Sequence, residues 1–444
     1  MDRIERKKRN HVVVSCVLAA ACLLPLPVSA QGHRDLTVEG LFQLLETGNH
    51  DLRSMKVEAE VAAKGVDVAK SKRLPDIDAA LSVSYNGNVL MTDRDFGHPT
   101  GFSQPHLGNS FSLEASQTVY AGGAINTGIR LAELQRQQAD TGVRLTRSNQ
   151  RFLALGLYLD LYKTDNNVKV YERNIELTLQ LIADIQAKLS EGMVLANDVT
   201  RYELQLETLR LGLRKAQDHR KVLNHQLCNA LEIEETNIQP DTTLIEQIYE
   251  QGSEDDWQAR AMAASPTLSQ AQLGVQTAGE QLKLARSGML PVVSIVAADN
   301  LNGPYVYDIP PIDNNFNIWY VGIGIRYSLS SLFKTNKSVR QAKVALRQSH
   351  ERQTVVEEAL NNQVQEAYTL YLQSYVDLRT QQKSVQLATQ NYQVVNDRFL
   401  NQLALVTDMI DASNVKLDAE LGEVNARINI VYAYYKMKYL SGEI

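Results

Sequence analysis

Cysteine is nearly absent. The 444-residue chain has three, and two of them, Cys16 and Cys22, fall in an N-terminal segment that reads as a leader. The mature chain would keep only Cys228, so no intramolecular disulfide is open to it and an exported protein must rely on packing. Beyond the leader there is no apolar run of about 18 residues, the length a transmembrane helix needs. A membrane crossing would have to be made without helices. Basic charge is not in excess either: without residues 1–30 the chain carries 40 Lys+Arg against 49 Asp+Glu, which argues against a nucleic-acid partner. The histidines are scattered, and His219 and His225, six apart, do not share a helix face. No metal-ligand spacing emerges, and "GGAINTG" (122–128) lacks the Lys-Ser/Thr that completes a phosphate loop. It reads instead as a strand-to-helix corner. No cofactor, metal or enzymatic chemistry is expected.

The leader itself has the three parts of a secretory signal peptide. "MDRIERKKRN" is basic, Val12 to Leu24 is apolar, and "PLPVSA" places Val28 and Ala30 at the small-residue positions of a cleavage site. A lipoprotein signal ending at Cys22 fits poorly, because Ala19 stands where leucine is usual.

What the chain does have is internal repetition. At an offset of 216, Leu52 meets Leu268, Ala69 meets Ala285, Ser71 meets Ser287, Leu74 meets Leu290 and Pro75 meets Pro291. Further on the offset is 210: Asn126, Arg130 and Tyr158 meet Asn336, Arg340 and Tyr368, and Leu195 and Asp198 meet Leu405 and Asp408. The change of offset falls between strands, where a loop absorbs it. The expected organisation is a signal peptide over 1–30, a first repeat over 31–232, an acidic linker over 233–254 and a second repeat over 255–444. Each repeat reads as a helical segment (37–73; 255–288), two strands (76–90 and 108–121; 291–303 and 317–330), a very long helix (123–190; 336–400) and a shorter one (197–232; 406–441).

The long helices carry an apolar residue every seven positions. Leu161, Val168, Ile175, Ile182 and Leu189 form one series, and Tyr371, Leu378, Val385, Tyr392 and Phe399 form another, each 210 residues later. A sustained seven-residue period predicts left-handed supercoiling of neighbouring helices. At 1.5 Å per residue the long helix spans roughly 100 Å and each shorter segment roughly 54 Å, so two short rods end to end match one long rod. Coiled-coil pairs about 100 Å long are the expected result.

The strands alternate. In "LPDIDAALSVSYN" Ile77, Ala79, Leu81, Val83 and Tyr85 are apolar and Asp78, Ser82, Ser84 and Asn86 are polar. In the second strand Phe111, Leu113, Ala115 and Val119 alternate with Ser112, Glu114, Ser116 and Thr118. In the fourth, Trp319, Val321, Ile323, Ile325 and Tyr327 alternate with Tyr320, Gly322, Gly324 and Arg326. The third, with Val293, Ile295 and Ala297 on one side, is less clean. These strands are long enough to span a bilayer when tilted, and aromatics stand near their ends as a girdle would. A half-buried soluble sheet would show the same alternation. Four strands cannot close a barrel, and open edges do not survive in lipid. Either the sheet is soluble, or several chains pool their strands. In the second case Leu81, Val83, Leu113, Ile323 and Ile325 face lipid and the even positions face a water-filled lumen.

Over nearly its whole mature length the chain resembles the TolC-like outer-membrane efflux proteins. The most specific local match is "QLALVTDMIDA" (402–412), similar to that family's turn between long and short helices of the second repeat; "GMVLANDV" (192–199) is similar to the turn of the first. The resemblance implies a fold that is mainly α with a membrane β-barrel: a homotrimer whose twelve strands, four per chain, continue into a long α-helical coiled-coil periplasmic tunnel. It implies an outer-membrane location reaching into the periplasm, and a passive exit duct for substrates brought by an inner-membrane pump of the resistance–nodulation–division or ABC type. A periplasmic adaptor would dock at the tip, around Gly192, Leu195, Asp198, Gln402 and Leu405. By position, Asp408 and Asp411 correspond to the family's acidic constriction rings; being three apart, they share a helix face. Helix capping by Asp408 is the alternative. Phe399 and Ala404 stand where the family often has a tyrosine and an arginine that lock the gate, so that polar lock is not expected here. A non-conducting periplasmic coiled-coil scaffold is the rival reading.

Overall fold

The computed structural model describes residues 33–241, 249, 252–306, 311–401 and 403–444; the expected signal peptide and Gln402 lie outside these. In chain order the elements are β1 (His33–Leu36), α1 (Val38–Gly48), α2 (His50–Ser71), β2 (Asp76–Tyr85), β3 (Val89–Met91), β4 (Thr100–Phe102), β5 (Leu107–Ala121), α3 (Ala124–Ser190) and α4 (Ala196–Leu231). They continue with β6 (Asn237–Pro240), α5 (Glu254–Ala264), α6 (Pro266–Ser287), β7 (Val292–Gly303), β8 (Phe316–Arg326), α7 (Ser331–Leu400) and α8 (Val406–Leu440). The long rods are helices of 67 and 70 residues. No position of either seven-residue series is exposed, and Leu161, Tyr371 and Phe399 are fully buried.

Three expectations of detail change. The first helical segment of each repeat is not one rod. It breaks at Asn49, whose Oδ1 accepts from the Leu52 N–H at 3.0 Å, and at Ser265, where Pro266 opens the next helix. Proline has no N–H to give at that position and so starts a helix there at no cost in hydrogen bonds. The two breaks are themselves 216 residues apart. The second strand carries a bulge between Thr118 and Tyr120. It returns Tyr120 to the face of Phe111 and leaves Val119 as the inserted residue. The stretch 233–254 is not purely loop, because β6 pairs in parallel with β1. Four-residue strands are too short to show a period in sequence.

The chain divides into two compact units. Of the described residues, the first comprises 33–44, 154–241, 385–401 and 403–424. Its core joins Leu181, Ile182 and Ile185 of α3, Val199, Tyr202 and Leu206 of α4, Phe399 of α7, and Val406 and Met409 of α8. Tyr158 ties the β1–β6 pair to α3: its hydroxyl donates to the Leu36 carbonyl at 2.7 Å and accepts from the Asp241 N–H at 2.8 Å. Arg220 braces the same strand, donating to Asp165 and to the Ile238 carbonyl.

The second unit comprises, of the described residues, 45–153, 249, 252–306, 311–384 and 425–444. Trp257, Leu268, Leu360, Val364 and Met437 form its helical core. Glu46 is held by Arg147 through two bonds of 2.8 and 2.9 Å and by Lys56 at 2.9 Å. The Arg147 hydrogen bonds, chiefly, hold its pKa at about 2. The same unit contains an antiparallel sheet in the order β2-β5-β7-β8. Helices hand over to this sheet identically in both halves. Arg73 and Leu74 donate to the carbonyls of Lys70 and Ser71, and Met289 and Leu290 donate to those of Arg286 and Ser287. Pro75 and Pro291 then forbid continuation of the helix.

Candidate functional site: an open sheet and a pair of helical turns

Register decides which side chains share a face of the sheet. Leu81 opposes Phe111, Leu113 opposes Ala79 and Asp299, Ile295 opposes Ile323, and Val293 opposes Ile325. With side chains alternating at period two, Leu81, Val83, Leu113, Ile323 and Ile325 therefore stand on one face, joined by Ile77, Tyr85 and Val321. All of these are exposed. An apolar surface spread over four strands is far larger than water-soluble surfaces usually tolerate, and such patches mark contact with lipid or a partner. The opposite face carries Asp78 against Glu114, and Ser110, Ser112, Ser116 and Thr118. Polar residues interrupt the apolar face: Asn109 opposes Val83, Gln117 opposes Ile295 and Asn317 opposes Leu301, and a carboxylate joins them. Asp299 lies on the apolar face between Leu113 and Trp319, and its Oδ1 is buried without a hydrogen-bond partner.

The sheet is not closed. Among the described residues β2 pairs only with β5, and β8 only with β7, so the outer edges of β2 and β8 offer backbone groups unpaired by another strand. Among the described residues no helix is long and apolar enough to cross a membrane.

The two helical turns are built alike. At the end of α3 the Met193 N–H returns to the Lys188 carbonyl at 2.9 Å; at the end of α7 the Leu403 N–H returns to the Arg398 carbonyl at 2.7 Å. Gly192 adopts φ 71°, the left-handed conformation that such a helix end requires and that glycine adopts without strain. Asp198 accepts from the Leu195 N–H at 3.0 Å, and Asp408 accepts from the Leu405 N–H at 2.9 Å. Each aspartate thus satisfies a donor at the start of its own helix through one carboxylate oxygen. Asp408 and Asp411 are both exposed, as are Leu195, Leu405, Met193 and Leu403. A groove of about 490 Å³ runs between the two turns, lined by Lys188, Leu195, Arg201, Phe399, Ala404 and Leu405 among others.

Phe399 does not point into this groove as a free side chain. It is buried beside Tyr202, with ring centroids 6.5 Å apart, and Lys188 caps it with Nζ 5.0 Å from the ring centre. The same ammonium donates to the Leu400 carbonyl at 3.4 Å, so one cation serves both the ring and the C-terminus of α7. Burial raises the pKa of the Tyr202 hydroxyl, which has no hydrogen-bond partner. Sequence reasoning missed Lys188, which reads as one more polar residue of a long helix. It also missed Lys416, buried with its Nζ 3.8 Å from Glu420 and 4.7 Å from the Tyr392 ring centre; Glu420 in turn accepts from Asn174 at 3.1 Å. A signal existed there: Lys416 follows Met409 by seven, at a packing position of the helix. Among the described residues no group of three His, Cys, Asp or Glu side chains could hold a metal ion.

Comparison with known proteins agrees with this architecture. The outer membrane efflux protein BepC of Brucella suis is 21% identical over 448 residues, covering 98% of this chain and 92% of its own. The structure of CusC, a protein that forms a transmembrane channel, superposes with a TM-score of 0.79 at 14% identity, covering 94% of this chain and 97% of the other. That of the outer-membrane channel OprN gives 0.77 at 14% identity, covering 92% and 90%. The proteins matched are channels and efflux proteins rather than enzymes. The model of the outer membrane efflux protein family matches residues 41–231 and 257–443, nearly all of both halves, and the chain belongs to that family.

Proposed function

We propose that the chain is one subunit of an outer-membrane exit duct, serving a tripartite efflux or type I secretion system. The observation that carries this is the open four-stranded sheet, apolar on one face and polar on the other, with two unpaired edges. In lipid every backbone group must be paired, so β8 of one subunit joins β2 of the next until the sheet closes. Two chains reach eight strands, about the smallest membrane barrel, and three chains reach twelve. The family resemblance selects three. The apolar face, with Leu81, Val83, Leu113, Ile323 and Ile325, meets lipid. The face with Asp78 and Glu114 meets water in the lumen. A non-conducting scaffold has no use for a sheet with this outer face.

The remaining parts follow the same reading. Residues 31–232 and 255–444 are two structural repeats around the 233–254 connection, behind a signal peptide over 1–30. The element order and the matching hydrogen bonds of the helix ends support this. The tunnel's far end lies at the turns. Asp408 and Asp411, three of each around an axis, form a cation-attracting constriction, since each Asp408 uses one oxygen for its cap and keeps the other. The exposed Leu195 and Leu405, with Gly192, Asp198 and Gln402, receive the tip of a periplasmic adaptor, which links the duct to an inner-membrane pump of the resistance–nodulation–division or ABC type. The duct itself catalyses nothing.

Reconstitution of the purified protein in planar bilayers tests the proposal. Discrete ion conductance from a three-chain species in detergent is expected. Well-folded trimers that conduct nothing would overturn it.

A further inference from the structure

Charge is divided unevenly between the two halves of the chain. Residues 314–350 contain six Lys/Arg and no Asp or Glu, in a chain that is acidic as a whole. The corresponding stretch of the first repeat, 104–140, contains two Lys/Arg and three Asp/Glu. The duplicated fold therefore does not require the basic run. The run covers β8 and the first turns of α7. Its five cations on α7 are Lys334, Lys337, Arg340, Lys343 and Arg347. All are exposed, and none makes an ion pair or side-chain hydrogen bond among the described residues.

The cations begin where exposed apolar side chains leave off. Past β8 the chain carries Leu329, Leu332 and Phe333, exposed by 70%, 59% and 64%. Leu74 and Leu290, at the two Leu-Pro junctions, are exposed at this same end of the sheet. They extend apolar surface past the last paired residues of the strands. At about 100° per residue, Leu332, Phe333, Lys337, Arg340, Lys343 and Arg347 fall within an arc of about 140°, with Lys334 on its flank. Thr335 lies outside that arc and stands against the end of α6, where a Cβ on Gly288 would be 3.4 Å from its Cγ2. The face that carries the apolar pair and the cations is turned away from α6. Apolar side chains followed by cations, on one face of a helix that leaves a lipid-facing sheet, form an interfacial segment. The apolar groups lie at the acyl boundary and the cations reach the phosphates.

We propose that this face of α7 binds anionic phospholipids of the periplasmic leaflet, the one next to the helical end of the sheet. Leu332 and Phe333 lie against the acyl chains, and Lys334, Lys337 and Arg340 meet the phosphates. This rests on the lipid-spanning sheet proposed above. Helical rise places Lys334, Lys337 and Arg340 about 3, 8 and 12 Å beyond Leu332, and Lys343 and Arg347 about 17 and 23 Å beyond it. The screening length is about 8 Å at physiological ionic strength, so the first three act on headgroups and the last two do not. Closing the sheet does not neutralise the site. It brings β2 of a further copy beside β8, and the last turns of the α2 that leads into it carry Lys70, Lys72 and Arg73 against Asp67 alone.

Counting retained lipid by native mass spectrometry of the full-length protein in detergent tests the proposal. The protein is titrated with phosphatidylglycerol or, separately, with phosphatidylcholine of the same acyl chains. One basic residue near an anionic membrane surface supports roughly fivefold in affinity, so three should give a preference for phosphatidylglycerol of at least about tenfold. Lys334→Gln/Lys337→Gln/Arg340→Gln should abolish that preference, and Lys343→Gln/Arg347→Gln should keep most of it. All five side chains are exposed, so neither variant loses a core contact. Unaltered protein that conducts in planar bilayers yet retains the two lipids equally would overturn the proposal and leave the duct standing. So would an equal loss of preference in both variants. A triple variant that keeps the preference and instead shifts ion selectivity toward cations would place the basic face in the lumen, and would also overturn it. Protein that neither conducts nor retains either lipid would overturn both readings.

Discussion

The assignment of the sheet's apolar face to lipid can be tested by placing a charge on it. Val321 stands at the centre of β8, five residues from either end, and is 67% exposed. At about 3.3 Å per residue and a tilt of about 45°, it lies roughly 12 Å from each end of the strand, close to the middle of the hydrocarbon. Val321→Arg should then cost about 2–4 kcal/mol per subunit, the penalty for a cation near the bilayer midplane. The same change on a water-facing surface would stay within about 0.5 kcal/mol, since the side chain is already exposed and no core contact is lost. The neighbouring Gly322 faces the other way, and a Cβ there meets nothing within 4 Å. Gly322→Arg is therefore a control with the same charge one residue away. Urea unfolding of the protein in lipid vesicles, followed by tryptophan fluorescence, measures both. If Val321→Arg cost no more than Gly322→Arg, the apolar face would not meet lipid and the barrel reasoning would fail.

Three further outcomes are expected. Asp198→Ala and Asp408→Ala remove equivalent caps and should loosen their helices to a similar degree, but only Asp408→Ala, with Asp411→Ala, should raise conductance or weaken block by multivalent cations. Equal effects on conductance would assign Asp408 to capping alone. Lys188→Met removes the cation while keeping much of the apolar stem, and it should weaken the hold on α7 by about 0.5–1 kcal/mol. Amide hydrogen exchange over the last turn of α7 should accelerate, and should not do so in Arg201→Met. Glu46 has its pKa lowered to about 2 by Arg147, so its contribution to stability is complete above about pH 4.5 and is lost as pH falls toward 2. Screening at this partly exposed site brings that contribution to about 1–2 kcal/mol. The stability difference between the protein and Glu46→Gln should shrink across that window; a difference independent of pH would contradict the pairing.

Much of the fold is written locally. The seven-residue series, the Leu-Pro junctions and the period-two strands each depend on residues a few positions apart, and the four long strands and four long helices all form, although β2 ends at Tyr85 instead of 90, β8 at Arg326 instead of 330, and α7 begins at Ser331 instead of 336. The pieces that were misplaced depend on particular backbone groups instead. Asn49 breaks a helix by offering its side chain to one N–H, and the bulge at Val119 arises only when β5 must follow β7. The pairing of β1 with β6 joins segments about 200 residues apart, each only four residues long, and no local pattern could announce it.

The candidate site divides in the same way. Exposed turns, their caps and the two faces of each strand follow from residue type and spacing. Lys188 over Phe399, and Lys416 against Tyr392 and Glu420, do not, because a lysine in a polar helix reads the same whether it meets water or an aromatic ring. Periodicity along the chain determined which elements form and which of their faces are apolar, since those preferences act over a turn of helix or two residues of strand. Only the tertiary structure decided which faces are already covered and which are left open, because burial depends on what a distant segment brings to the same place.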